Sequence, residues 1–337
     1  MTEIPDARDH AHARRLLLAV DAPSLLHRHH HARAGSDLRD RGGRPAWALH
    51  GMLLQICEAI EAFAPDAVVF GLDDRDASVR RDAYPAYKAG RAEKDPALVE
   101  QLERAGALLD ALGLCVVAPP GLEADDVSAS AAAFAASRGW RCVIVTSDRD
   151  AFAHISEHTQ VLRLIAGGIG GSPLLNPGRL HTMYGVAAEN YLEYAALRGD
   201  ASDNLPGVPG IGEKAAALLL AQVGSMQEVW ADIEHCDGAT VVAAVDDQCV
   251  QEGRRRSGAQ LRAKLSAAGA RERFEFNVSI MSGRADVDLR LSPEVPGSPG
   301  LLPLDPDRVS RVVGHLGVPA TTDLALRVLT APPARSS

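Results

Sequence analysis

The stretch "GLEADDVSAS" (121–130) sets Glu123, Asp125 and Asp126 within four consecutive positions, ahead of an Ala- and Ser-rich segment with the composition of a buried helix. One acid at a helix N-terminus is favoured by the macrodipole, by roughly 0.3–1 kcal/mol. Three crowded together repel, and each pushes up the pKa of its neighbours. A bound cation would remove that cost. Further carboxylates recur along the chain at Asp21, Asp73, Asp148, Asp150, Asp200 and Asp203. All are hard oxygen donors with no His or Cys interleaved, a set that suits Mg2+ or Mn2+ rather than zinc. They exceed what one Mg2+ takes, since that ion keeps several of its waters. Two ions about 3.5–4 Å apart are the natural reading, as in sites that cleave phosphate esters.

The elements that must position these acids alternate in type. "RRLLLAVDA" (14–22), "DAVVFGLD" (66–73), "LCVVAP" (114–119) and "WRCVIVTSDRD" (140–150) read as buried strands. Helical patterns lie between them: "GMLLQICEAIEAFAP" (51–65) stops at Pro65, "PALVEQLERAGALLDALG" (96–113) is closed by Gly113, and "DVSASAAAFAASRG" comes after the acidic cluster. This alternation predicts an α/β fold, a mostly parallel sheet flanked by helices. Ligands of such sheets bind beyond the carboxyl ends of the strands, where Asp21, Asp73, the 123–126 cluster, Asp148 and Asp150 all fall. After about residue 180 the texture changes to helices and loops with an Arg-rich stretch from Arg254 to Arg273. The Pro-, Gly- and Ser-rich segment 292–306 reads as a linker before a last helix, "DRVSRVVGHLG".

Two further stretches carry groups suited to phosphate. "SVRRDAYPAYKAGRAEKD" (78–95) places Arg80, Tyr84, Tyr87, Lys88 and Arg91 three to four residues apart, with Arg81 and Lys94 nearby. On a helix these would share a face, with cations for phosphates and rings for unpaired bases. "GVPGIGEKAAALLL" (207–220) is a glycine-rich turn opening a helix that carries Lys214. Gly207, Gly210 and Gly212 would allow close approach of an anion to the N–H groups at the helix start. A dinucleotide fingerprint needs a strand before it, and here a proline-containing loop precedes. The pattern therefore reads as a helix–hairpin–helix that grips a DNA backbone without reading its sequence.

The bulk numbers set outer limits. A chain of 337 residues has room for one large or two modest domains, and 46% hydrophobic with 23% charged residues is ordinary for a globular protein. There is no apolar run long enough for a membrane-spanning helix, and the apolar core of "RRLLLAVDAPSLL" is broken by Asp21, against a signal peptide. Five widely spaced cysteines without a CxxC pair predict reduced thiols and a cytoplasmic setting. A net charge of −9 speaks against nucleic-acid binding taken as a sum, but the sum hides local clusters of both signs.

Taken in order, "LLLAVDAPSLLHRHHHA", "VFGLDDRDASVRRDAYPAYKAGR", "GLEADDVSA", "VIVTSDRDAF" and "LRGDASDNLPGVPGIGEKAA" make the chain resemble the 5′-3′ exonucleases and flap endonucleases, including the 5′ nuclease domain of bacterial DNA polymerase I. The resemblance spans about residues 15 to 290, and "FEFNVSIMSGRADVDL" resembles the family's closing segment. It implies a PIN-like α/β nuclease domain over 15–183 with a helical arch at about 74–110. A helical DNA-binding region over 184–290 would come next, then a linker and C-terminal helix over 291–337, with 1–14 a disordered tail. With no polymerase or proofreading segment after it, a stand-alone nuclease is expected. The resemblance assigns Asp21, Asp73, Glu123 and Asp125 mainly to a first metal, and Asp148, Asp150, Asp200 and Asp203 to a second, with Asp125 shared and Asp126 supporting. Lys88 and Arg91 match a pair that clamps the scissile phosphate from the arch. Arg28, Arg80, Arg81 and Tyr84 are expected at the DNA, as is the 207–214 turn through Gly207, Val208, Gly210, Ile211, Gly212 and Lys214. In the family this turn often also holds a K+ ion. Two departures stand out: Ala22 replaces the usual Gly, and His27, His29 and His30 stand where aromatic or small residues are usual, an arrangement expected to line the crevice beside a frayed base pair. The implied activity is metal-dependent cleavage of flapped, nicked or primer-containing DNA by a monomer. The alternative is a catalytically silent junction-binding protein. Its mark would be a missing carboxylate, and none is missing.

Overall fold

The computed structural model describes residues 14–33 and 36–332. The tail expected at 1–14 therefore lies almost wholly outside the described residues. The chain divides into two compact units, one built from the described parts of Met1–Ser78, Glu93–Leu175 and Gly283–Ser337, the other from Val79–Ala92 and Asn176–Ser282.

In the first unit, continuous apolar runs form strands buried on both faces, as a parallel sheet covered by helices requires. They are β1 (Leu16–Asp21), β2 (Ala67–Gly71), β3 (Cys115–Val117) and β4 (Arg141–Thr146), joined by β5 (Thr159–Arg163) and β6 (Leu174–Leu175), which the sequence pattern does not reveal. The order is β3-β2-β1-β4-β5-β6, parallel except for β6. β1 lies between β2 and β4, with Asp21 level with Gly71 and Val20 level with Val145. The carboxyl ends of β2, β1 and β4 thus share one edge, and the strand order reverses between β1 and β4, the switch point where open α/β sheets hold ligands.

Local signals set the helices. Asp21 caps helix Ala22–Ala32, accepting Ser24 N–H at 3.0 Å, with Pro23 in the first turn. Helix Trp47–Phe63 ends at Ala64, whose φ of 46° turns the chain ahead of Pro65. Helix Pro96–Leu112 opens on Asp95, which accepts Ala97 N–H at 2.7 Å, and closes on Gly113 at φ 90°.

The segment expected to be a linker touches the sheet through an isolated bridge. Gly300 O accepts Val68 N–H at 2.8 Å and Leu301 bridges Ala67, so this strand of chain lies beside β2 below the short β3. Gly300 has φ +85°, and a Cβ there would sit 2.5 Å from Val68 O. The composition signals a loop because the backbone must turn and approach closely. Beyond it, helix Pro306–Gly314 and an unanticipated helix, Pro319–Leu329, place Val309, Val313, Leu316, Ala325 and Leu329 in the same core as Leu18, Val68 and Phe70.

The second unit is helical: Val79–Ala83, Pro177–Tyr184, Tyr191–Arg198, Glu213–Val223, Met226–Cys236, Ala239–Gln251, Gly258–Leu265 and Ala270–Met281, with a two-residue antiparallel ribbon, Gly199–Asp200 against Leu205–Pro206. Residues 79–92 belong with it, whereas 93–112 belong to the sheet unit, so the stretch expected to form an arch over 74–110 is divided.

Leu329 has no exposed surface. Leu329→Ala should lower the stability of the sheet unit by about 2–5 kcal/mol in urea unfolding monitored by far-UV circular dichroism. A change below about 0.5 kcal/mol would mean that the C-terminal helix is not part of the core.

Candidate metal centre and nucleic-acid interface

Asp21 ends β1 with only 5% of its surface exposed. Its Oδ1 accepts Ser24 N–H, and its Oδ2 accepts the Thr146 hydroxyl at 2.7 Å. Burial nonetheless pushes its pKa up to about 7; those two hydrogen bonds oppose the rise, and the charges of Asp73 and Asp148 add to it. Three acids from the ends of three adjacent strands therefore act on one another through their fields.

The acidic cluster is brought to the same edge by close packing. A Cβ on Gly71 would lie 2.8 Å from Ala124 O, so only glycine lets helix Ala124–Ser137 approach the end of β2. Asp73 Oδ1 accepts Ala124 N–H at 3.0 Å. Glu123 is the N-cap, in a reciprocal capping box with Asp126. Glu123 and Asp125 are half-buried. Asp126 differs: it is fully buried, with Oδ2 accepting Glu123 N–H and Oδ1 accepting Arg284 N–H, both at 2.9 Å. Ser130 continues that tie, its hydroxyl donating to Arg284 O at 2.8 Å and accepting Val287 N–H at 3.0 Å. Asp126 thus anchors the cluster and the 284–287 segment together. On the other side, Asp148 Oδ1 accepts Asp150 N–H at 3.1 Å, and the Thr146 hydroxyl accepts Asp148 N–H at 3.0 Å. Thr146, which bridges Asp21 and Asp148, is not among the residues expected from the sequence; its position two residues before Asp148 in "TSD" was the available signal.

Among the described residues, no three or more His, Cys, Asp or Glu side chains are already gathered at ligating distance. The all-carboxylate donor set and the elevated Asp21 pKa both fit a hard divalent cation at this edge.

Two histidines of helix Ala22–Ala32, His29 and His30, turn inward. His29 Nε2 bonds Gln55 Oε1 at 2.8 Å, a Cβ on Gly51 would collide with the His29 ring, and burial holds the His29 pKa below its usual value. His30 is buried, its ring 5.7 Å from that of Trp47. Those two rings are packing groups against helix Trp47–Phe63 rather than a crevice lining. Ala22 is buried in helical backbone, where a Gly is not required. Arg28 donates to the Ile165 carbonyl.

In the helical unit, Asp200 Oδ1 accepts the backbone N–H and hydroxyl of Ser202, at 2.7 and 2.5 Å. Asp203 is buried, with Arg91 at 2.6 Å and Lys88 Nζ at 3.7 Å from its carboxylate. Lys88 N–H also donates to Asp203 O, Tyr84 OH to Asn204 O, and Asn204 Nδ2 to Ala86 O. Residues 84–91 are therefore lashed to the 203–204 turn. The expected single helical face over 78–95 does not form. The helix covers Val79–Ala83 alone, because Pro85 cannot continue it and Tyr84 precedes a proline. Arg80 is buried, donating to Ile280 O at 2.9 Å and Ser282 O at 3.4 Å. Tyr87 packs with Leu205 and Ile280, and Tyr84 sets its ring edge-on to Phe276. Arg81 remains exposed, and the Arg91 side chain is half exposed.

The glycines of the 207–212 turn serve three different ends. A Cβ on Gly207 would lie 2.2 Å from Arg198 O; one on Gly210, at φ +79°, would meet the Lys264 methylenes at 3.1–3.2 Å; one on Gly212 would meet nothing within 4 Å. Only Gly212, the N-cap of helix Glu213–Val223, faces open space, beside exposed Lys214. Val208 and Ile211 are 2% and 3% exposed and anchor the turn in the core rather than meeting a ligand through their side chains. The carbonyl of Gly210 accepts Lys264 Nζ at 2.8 Å. Lys264 does not stand out in the sequence, where it is one cation among the many of 254–273.

The model of the 5′-3′ exonuclease N-terminal resolvase-like domain matches residues 16–184, and that of the 5′-3′ exonuclease C-terminal SAM fold matches residues 186–291. DNA polymerase I of Mycobacterium bovis is 34% identical over 226 residues, 67% of this chain and 25% of that protein. The thermostable DNA polymerase I of Thermus aquaticus is 36% identical over 234 residues, 68% of this chain and 27% of that protein. The chain thus spans about a quarter of the length of these relatives. Among solved structures, T5 5′-exonuclease with divalent metal ions (zinc) bound aligns with a TM-score of 0.53 and 17% identity over 80% of this chain and all of that one. The catalytic core of Rad2 in complex with DNA substrate aligns with a TM-score of 0.55 and 17% identity over 94% of this chain and 92% of that one. At that identity the likeness is one of fold.

The Asp21 carboxyl makes a prediction for the metal-free protein. Because its folded pKa of about 7 lies above the usual 3.8, the folded state keeps a proton that the unfolded state releases between those values. Stability is therefore lost as pH rises from about 4 to about 7, and the penalty is constant above that. Asp21→Asn should remove the penalty and stabilise the metal-free protein at pH 8, by at most about 4 kcal/mol, with no gain at pH 4; thermal melts in chelator at both pH values measure it. The turn makes another: Gly207→Ala should destabilise the helical unit by about 3 kcal/mol or more through backbone collision, while Gly212→Ala should cost about 1 kcal/mol or less, as read by chemical denaturation.

Proposed function

We propose, for a chain that belongs to the 5′-3′ exonuclease family, that it is a structure-specific 5′ nuclease acting on flapped, nicked or primer-containing DNA, leaving 5′-phosphate and 3′-hydroxyl ends. The observation that carries the proposal is the convergence of Asp21, Asp73 and Asp148 at the carboxyl ends of adjacent strands, with Asp21 pushed up to a pKa of about 7. Mg2+ or Mn2+ would be held there by Asp21, Asp73, Glu123, Asp125, Asp148 and Asp150, with Asp200 and Asp203 assigned to a second ion by the family resemblance. Bound, such ions activate water and offset charge building on the phosphodiester. The chain's own groups do the rest. Thr146 and Ser24 hold the Asp21 carboxylate in one orientation. Asp126, with both oxygens committed to backbone N–H groups, supports Glu123 from beneath.

Lys88 and Arg91 are proposed to meet the scissile phosphate by exchanging one anion, the Asp203 carboxylate, for another. Gly212 and Lys214 are proposed to meet the duplex backbone at the start of helix Glu213–Val223, contacts that position without reading sequence. The enzyme is proposed to work as a monomer in the cytoplasm. Burial there suits reduced, unreactive cysteines, with Cys57 and Cys142 pushed up to about 12 and Cys115 to about 11. No helix among the described residues is long and apolar enough to cross a membrane.

Cleavage of a 5′-labelled flap duplex tests the proposal. The wild type should cut near the branch with Mg2+ or Mn2+ and not in chelator, and Asp148→Ala should lose about a hundredfold or more of the rate. Flap affinity should fall by roughly ten- to a thousandfold between about 50 and 200 mM salt, as released counterions require. Tight flap binding without cutting in either metal would overturn the nuclease and leave a junction binder.

A further inference from the structure

The turn that follows β4 has a fixed backbone and one side chain left out of its bonding. Ser24 Oγ accepts Ser147 N–H at 3.0 Å, and Thr146 Oγ1 accepts Asp148 N–H at 3.0 Å. Asp148 Oδ1 accepts Asp150 N–H at 3.1 Å, an Asx turn closed around Arg149, and Arg149 O accepts Phe152 N–H at 3.0 Å. Thr146 is buried and Asp148 and Asp150 are half-buried, whereas Arg149 is exposed. An acid stands on either side of it in sequence, yet its guanidinium has no hydrogen-bond or ion-pair partner among the described residues. Adjacent side chains diverge from the backbone, so neither acid is well placed to meet it. Other arginines close to the acids are engaged. Arg75, two residues past Asp73, meets Glu103 at 2.9 Å, and Arg284, whose N–H meets Asp126, meets Asp286 at 2.7 Å.

We infer that Arg149 binds a DNA phosphate next to the one being cut and so seats the strand against the acidic edge, an inference that rests on the nuclease reading above. An edge that gathers Asp21, Asp73, Asp148 and Asp150 repels a polyanion. Divalent ions would offset that repulsion at the phosphodiester they hold, but not at its neighbours along the strand. Those neighbours recur about every 3.4 Å of helix axis on each strand, so a cation anchored between two of the acids lies close to one of them. A guanidinium suits the task, because its planar fork of N–H donors matches two oxygens of one phosphate. Two features of the turn favour it further. The backbone at 147–150 is already fixed, so binding orders a single side chain. No internal partner has to be given up either, in contrast to Lys88 and Arg91, which are paired with Asp203. Such a contact holds the strand without reading its sequence.

Arg149→Ala, Arg149→Lys and Arg149→Glu, compared with wild type on a 5′-labelled flap duplex, test this. Binding is measured in chelator over a range of salt, and cleavage in Mg2+. Arg149→Ala should bind about tenfold more weakly, and its slope of log affinity against log salt should be shallower by about 0.7–0.9, the share of one phosphate contact. Arg149→Lys should keep the wild-type slope and recover part of the affinity, since it retains the charge and loses the fork. Arg149→Glu should bind more weakly than Arg149→Ala. In cleavage, Arg149→Ala should raise KM about tenfold with kcat within about threefold of wild type and an unchanged Mg2+ requirement. All three should melt within about 1 °C of wild type, because the side chain is exposed. An Arg149→Ala protein with the wild-type slope and KM would overturn the inference. A fall in kcat at constant KM, or a shifted Mg2+ requirement, would overturn it too, because Arg149 would then act on the metal centre. Melting lowered by more than about 3 °C in all three variants would assign the side chain to the fold instead. A wild type that neither binds nor cuts the flap would sink the nuclease reading and this inference with it, whereas a wild type that cuts beside an unaltered Arg149→Ala sinks the inference alone.

Discussion

A carboxylate that is almost out of water ends the central strand of the sheet, and much of the sheet unit is arranged to tolerate it. Asp21 sits at 5% exposure with Asp73 and Asp148 acting on it from the neighbouring strand ends. Its two hydrogen bonds offset part of the desolvation, and each also builds structure. The Ser24 N–H bond starts helix Ala22–Ala32, and the Thr146 bond ties β1 to the end of β4 across the switch point. Moving β1 by one residue would turn Asp21 to the opposite face and break both. The register of the centre of the sheet and the geometry of the acidic edge are therefore one constraint.

Around that edge the chain uses backbone closeness where side chains would get in the way. Gly71 admits helix Ala124–Ser137 against β2, and Asp73 then accepts the helix's first N–H. Asp126 spends both oxygens on backbone donors, one from the capping position and one from Arg284, so the acidic cluster and a segment 158 residues later are held by one carboxylate. The same C-terminal stretch continues into Gly300, which completes hydrogen bonding beside β2, and into two helices that fill the core. A site that concentrates repulsion is thereby set on a core that is continuous to Leu329.

The helical unit handles charge differently, by pairing it internally. Lys88 and Arg91 meet Asp203, and Lys264 meets the carbonyl of Gly210. Gly199 and Gly207 touch backbone to backbone, a separation that any side chain would prevent, and Asn277 donates to both Ala196 O and Pro206 O to hold the ribbon in place. The net charge of −9 is a sum over such local pairings of opposite sign.

Local pattern determined the parts of this protein whose physics is local. Continuous apolar runs ending in Asp specified β1, β2 and β4, capping residues such as Asp95 and Gly113 bounded the helix between them, and the acids at the strand ends came with the alternation of strand and helix. Where backbone and distant side chains decide, pattern misled. Spacings of three to four in 80–91 suggested a helical face, but Pro85 ends the helix and the 203–204 turn captures residues 84–91. Loop-like composition at 292–306 concealed a bridge to the sheet, since the glycine needed for close approach at 300 looks like the glycine of a linker. Histidines at 29 and 30 looked available and are packed inside. Only the tertiary structure paired Asp126 with Arg284, Asp203 with Arg91 and Gly210 with Lys264, because each bond joins residues tens to more than a hundred positions apart, and hydrophobic periodicity carries no record of which distant donor will reach a given oxygen.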